Sequence, residues 1–164
     1  MEIESKTSRD LELDYLAQLA SSHAIDIAEA EGSGLKTVFP KANELFIDID
    51  DDDAYNRFNE VVQILTRYTY VHDINTTPSK SGLPRRHVVV TLNGDVSDLE
   101  RIALQAALGS DGKREMLSYM RLKGGDPHPT LFFEPTETYQ KKAPTITDDE
   151  WNAAVGWIDE RKVA

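Results

Sequence analysis

Residues 44–55 read ELFIDIDDDDAY, an apolar run that ends in five aspartates within six positions. Side chains alternate across a strand. Leu45, Ile47 and Ile49 therefore share one face, and Phe46, Asp48 and Asp50 share the other. The apolar face packs beneath helices, so the acidic pair points to an open face, about 6–7 Å apart along the strand. Asp51, Asp52 and Asp53 suit a helix cap and first turn, where the macrodipole favours negative charge. Asp48 lies inside the apolar run, where a cap has no use for it. Two carboxylates this close repel, and one of them titrates high unless a cation sits between them. Oxygen ligands of this kind select Mg²⁺, Mn²⁺ or Ca²⁺. The stretch thus predicts strand, then cap, then helix, with Asp48 and Asp50 as metal-ligand candidates.

Working outward, apolar spacing predicts a helix over residues 8–31, with Ser8 as its cap and Gly32 and Gly34 at its end. Residues 32–43 read as a loop. The helix after the aspartates runs to about Thr66 on Phe58, Val61, Val62 and Leu65. YTYVHDI (68–74) reads as a second strand, NTTPSKSGLPR as a loop, and RHVVVTL (86–92) as a third strand. Ser97 and Glu100 form a capping box before the next helix, which Gly109 ends. A further helical piece covers about 113–122, and TLFFE (130–134) is a fourth strand. Thr147 and Glu150 open a last helix, with Trp151, Val155 and Ile158 on one side.

Without its terminal helices the order is β-α-β-β-α-β, an α+β fold of RRM-like or ferredoxin-like type. One domain is expected over 1–164: an N-terminal helix (1–34), a core (44–134) and a C-terminal loop and helix (135–164). The open face of this sheet would collect Asp48, Asp50, His87 and Glu134, with Val89, Thr91, Thr130 and Phe132. His23, His72 and His128 have no metal spacing to one another and read as structural or exposed.

The composition fits an ordinary globular chain, with 40% apolar and 29% charged residues. With no cysteine, there is no disulfide framework, zinc–thiolate site or thiol nucleophile. The acidic N-terminus does not resemble a secretory signal, and no apolar run reaches membrane-spanning length. A cytoplasmic location without membrane contact is expected. A net charge of −11 argues against binding nucleic acid by bulk electrostatics, though not against a local basic groove. Basic residues cluster at Lys80, Arg85 and Arg86, and again at Lys113, Arg114, Arg121 and Lys123.

LFIDID, then TPSKSGLPRRHVVVTL, then LGSDGKREMLSYMRLKGG resemble, in order, the three motifs of archaeo-eukaryotic primases and primase–polymerases. The resemblance covers residues 45 to about 125. It departs from the family pattern in two places. Arg85, not Ser, stands two before His87, and Ser110 rather than an apolar residue precedes Asp111. The resemblance implies a minimal, phage-like nucleotidyltransferase in which Asp48, Asp50 and Asp111 hold Mg²⁺ or Mn²⁺, with Glu134 as rival third ligand. It further implies nucleotide binding by Ser79, Lys80, Ser81, Arg85, Arg86, His87 and Arg121, with Phe46 and Phe132 offering stacking surface. Nucleotides, a single-stranded or primed nucleic acid and replication proteins such as a helicase are the partners it implies. Two other readings stand beside it. One is a non-catalytic nucleic-acid or protein binding module of primase-like or RRM-like form; the other is a metal-dependent nuclease using the same carboxylates. The third strand lacks the aromatic positions of an RNA-binding RRM, which counts against an ordinary module of that kind.

Overall fold

The computed structural model describes residues 7–68, 71–79, 81–137 and 139. Lys80 and the expected last helix with Trp151, Val155 and Ile158 lie outside them. The described residues fold into helices and two small antiparallel sheets holding five strands.

The first helix, α1 (Ser8–Gly32), is capped by Thr7 rather than Ser8. Thr7 and Asp10 form a reciprocal box, the Asp10 carboxylate accepting the Thr7 amide at 2.9 Å. Within the stretch expected as loop, Leu35–Val38 forms a strand, β1. Then come β2 (Glu44–Ile49), α2 (Asp52–Tyr68), β3 (Val71–Pro78) and β4 (Arg86–Leu92). Asp51 accepts the Ala54 amide at 2.7 Å and so fastens the start of α2. β3 extends four residues into the expected loop, through Asn75-Thr76-Thr77-Pro78. Its threonines pair with Val88 and His87, and Pro78 is tolerated because β3 is an edge strand.

The main sheet has the order β2-β4-β3, all antiparallel. Its helix-side face is the core: Leu45, Ile47, Ile49, Val88, Val90 and Leu92 are buried with Phe58 and Val62 of α2. Each buried side chain of this size is worth roughly 1.5–3 kcal/mol in apolar transfer, so alternation alone fixes which face is inward. The helices α3 (Asp98–Ala107) and α4 (Gly112–Lys123) follow, and α3 packs on β2.

The segment expected as the fourth strand of this sheet forms β5 (Phe132–Pro135) and pairs with β1 in a separate two-stranded sheet. The free edge of β2 is already occupied. Side chains and one amide from α3, α4 and the turn between them satisfy its backbone. Gln105 accepts the Phe46 amide at 2.8 Å, and the Ser110 hydroxyl accepts the Asp48 amide at 3.0 Å. Arg114 donates to the Phe46 carbonyl at 2.7 Å, the Asp111 amide donates to the Asp48 carbonyl at 3.0 Å, and Arg101 donates to the Glu44 carbonyl at 2.9 Å. Every outward-facing group from 44 to 48 that a strand would need is thus taken. The β1–β5 ribbon lies instead across the face opposite the core, where Phe132 stacks on Phe46 and on His87, with centroids 4.5 and 4.0 Å apart.

α4 packs on α1. Gly124 sets how closely: a Cβ there would collide with the Leu16 carbonyl. No helix among the described residues is long and apolar enough to cross a membrane.

Candidate functional site

A cleft of about 360 Å³ opens where the C-terminal end of β2 meets α1, α4 and the β3–β4 loop. Asp48 and Asp50 reach it from β2, and His87 from β4, directly opposite Asp48 in register. The His87 Nε2 stands 3.8 Å from an Asp48 carboxylate oxygen. Ser79, Ser81 and Arg85 line it from the β3–β4 loop. That loop is closed by the Ser79 amide on the Arg85 carbonyl at 2.9 Å and by the Gly82 amide on the Ser79 carbonyl at 2.8 Å. Gly82 sits at φ +78°, which favours glycine in this turn.

The opposite wall comes from α1 and α4. It presents His23, Asp26, Ser118 and Arg121, with Arg114 at the base. His23 is buried, and its Nδ1 meets the Asp126 carboxylate at 2.6 Å. The sequence reads His23 as structural or exposed, and this pairing makes it structural. The signal was present, since His23 falls on the buried stripe of α1 with Leu16, and a buried imidazole requires a polar partner.

Arg114 holds the site together. Its guanidinium donates to Phe46 of β2, to Glu115 at 2.8 Å and to the Leu131 carbonyl at 3.0 Å, and lies over the Phe132 ring. It therefore occupies the gap between β2 and the segment entering β5. Burial lowers its pKa, while the Glu115 and Asp48 carboxylates act the other way. Glu115 is buried and accepts from Gln105 and Ser110, both at 2.8 Å. Its carboxyl is pushed above the usual range, first by burial, against the pull of Arg114. Burial also raises the pKa of Asp48, as do the charges of Asp50 and Asp111, while Arg114 and Arg85 act to lower it. Burial likewise lowers that of Arg121, whose Nη2 lies 3.9 Å from Asp26.

Several expected residues stand elsewhere. Arg86 does not line the cleft; it pairs with Asp52 at 2.7 Å and lies over Tyr55. Alternation along β4 puts it on the same side as Val88, facing α2. Asp111 caps α4, accepting the Lys113 amide at 3.1 Å, so it adjoins Asp48 through the backbone without lining the cleft. Glu134 is exposed on β5 opposite Lys36, away from the cleft lining. Phe46 and Phe132 are buried against each other and offer no free stacking surface. No group of three or more His, Asp and Glu side chains among the described residues is arranged to hold a metal ion. Comparison with protein-family models, with curated proteins and with solved structures finds no match.

Proposed function

We propose that the protein is a divalent-cation-dependent nucleotidyltransferase of primase–polymerase type, acting on nucleotides and a single-stranded or primed nucleic acid. One observation carries the proposal: stretches far apart in sequence, the Asp48/Asp50 strand end, the Ser79–Arg85 loop and His87, meet in a single cleft beside Arg114 and Arg121. The order β2-α2-β3-β4-α3 and the sheet order β2-β4-β3 support an RRM-like reading of the core, one whose fourth strand has been displaced from the edge.

Asp48 and Asp50 fit a Mg²⁺ or Mn²⁺ ion of the kind held by one or two carboxylates with substrate phosphates completing its shell. The supporting observation is geometric: both carboxylates line one cleft, with the His87 Nε2 3.8 Å from Asp48. When bound, such an ion supplies charge neutralisation at the reacting phosphate and acidifies the attacking hydroxyl. The chain's own groups bind and orient. Arg85 and Arg121 neutralise phosphate oxygens, Ser79 and Ser81 donate hydroxyl hydrogen bonds, and His87 positions a phosphate against the acidic pair.

A binding module without chemistry is the second reading, favoured by the engagement of Asp111 as a helix cap and the lack of a three-ligand group among the described residues. Incubation with Mn²⁺ or Mg²⁺, labelled nucleotides and a single-stranded or primed template, beside the double variant Asp48→Asn/Asp50→Asn, separates the readings. Extension that the double variant loses supports the transferase, and cleavage indicates a nuclease. Nucleotide binding without turnover indicates the module.

A further inference from the structure

On the same sheet face, beyond the Phe46–Phe132 stack, lies a second cleft of about 380 Å³. Val89 and Thr91 of β4 form its floor, with Phe46 at one side. Phe39, 42% exposed and leaning on His128, also lines it. Asp73 and Asn75 flank it from β3, opposite Thr91 and Val89 in register.

Asp73 is there because the strand is irregular. Val71 pairs with Leu92, yet Asp73 pairs with Thr91, so β3 carries one extra residue between them. With regular pairing from Val71, Asp73 would stand opposite Val90 and face the core. The bulge turns its carboxylate onto the cleft face, a re-aiming for which such bulges are known. Neither Asp73 nor Asn75 makes a side-chain hydrogen bond or ion pair to the described residues, and both are exposed. The other charges at the rim, Lys41 and Glu44, neutralise each other at 3.0 Å.

The chemistry thus differs from that of the first cleft. There, arginines stand beside the acidic pair and suit an anion. Here one carboxylate without a charged partner among the described residues repels phosphate and attracts N–H donors, beside the floor of Val89 and Thr91 and the half-exposed Phe39 ring. We propose that this second cleft binds an uncharged, amino-bearing heteroaromatic ring, best matched by guanine, stacked on Phe39 with its edge on Asp73. A carboxylate offers two acceptor oxygens, and the guanine edge offers two adjacent N–H donors, so the pairing is bidentate. Asn75 supplies a further donor and acceptor. Uracil, with one N–H between two carbonyls, fits poorly.

The proposal does not depend on catalysis, and its test needs no metal and no turnover. The full chain is titrated with guanosine, inosine, adenosine, cytidine and uridine, followed by amide chemical-shift changes in β3 and β4. Guanosine should bind most tightly, inosine (which lacks the amino group) more weakly, and uridine weakest. Asp73→Asn should weaken guanosine about tenfold or more, the scale of one bidentate base contact. Phe39→Leu should weaken all the nucleosides together. Both side chains are surface-exposed, so the variants are expected to fold. Equal binding of all five nucleosides, no shifts in β3 and β4 at millimolar guanosine, or an Asp73→Asn variant that binds guanosine unchanged would each overturn the proposal. Any of these leaves the transferase reading standing.

Discussion

Asp48 is held by its backbone and destabilised through its side chain. Its amide and carbonyl are both fixed by the turn between α3 and α4, while its carboxyl is pushed up mainly by burial. A carboxyl whose folded value exceeds its unfolded value near 3.9 keeps its proton longer in the folded state. Stability is therefore lost as pH climbs from that ordinary value through the raised one, and the penalty is constant above it. Asp48→Asn removes the penalty. At pH 7, in chelator, the variant should unfold at higher urea, with a gain of about 1 kcal/mol, within the usual range for a single stabilising substitution. The gain should shrink as pH falls through the raised folded value and be gone below the ordinary carboxyl value near 3.9. A variant less stable than the parent at pH 7 would contradict this account. Saturating Mn²⁺ should reverse the order, because ligand at one hundred times its Kd stabilises the native state by ~2.7 kcal/mol. That thermal shift should be absent from Asp48→Asn/Asp50→Asn.

At the scale of elements, the edge of β2 is finished by side chains rather than by a strand. Gln105 is fully buried and spans the Phe46 amide and the Glu115 carboxylate. Gln105→Met keeps the bulk but orphans a buried N–H and strips Glu115 of a donor, at a cost of roughly 1–3 kcal/mol. The Phe46 amide should then exchange faster with solvent than its neighbours Leu45 and Ile47, whose amides face β4. The sequence made the core strands legible because alternation at 45–49 and 86–92 leaves one consistent inward set. It made the helices and the Ser97 capping box legible for the same reason of period and cap chemistry. The fate of β5 was hidden. TLFFE has the look of a sheet strand, and only the arrival of Gln105, Ser110 and Arg114 at the edge of β2, some 60 residues along the chain, excludes it. The bulge before Asp73 was equally silent, since VHDI alternates acceptably in either register. Within the site, Asp48, Asp50 and His87 are legible by strand face, whereas Arg86 parts from Arg85 because alternation along β4 turns it toward Asp52 and Tyr55. His23 reads as structural or exposed, and only its pairing with Asp126, 103 residues away, decides for the buried structural role.

At the scale of the whole molecule, two sheets that share no backbone hydrogen bond are joined largely through one ring. Phe132 of the ribbon lies parallel to Phe46 and to His87 of the main sheet, with interplanar angles of 3° and 4°, and beneath the Arg114 guanidinium. It lines the first cleft, and its partner Phe46 lines the second, so the stacked pair is the partition between them. Truncating it removes packing on both sides at once. Phe132→Ala should cost about 3–5 kcal/mol, the usual price of deleting a buried aromatic side chain. A stacked aromatic pair adds about 0.5–1.5 kcal/mol beyond area burial, so Phe132→Leu should fall well short of that loss. The two variants also separate local from global effects. If the ribbon is docked chiefly by this ring, hydrogen exchange in β1 and β5 should accelerate in Phe132→Ala by more than exchange in β2 and β4, whose core of Leu45, Ile47, Val88 and Val90 is untouched. Uniform acceleration across both sheets would instead mean that ribbon and main sheet unfold as one unit, and that Arg114, bonded to both Phe46 and Leu131, couples them more tightly than the ring does.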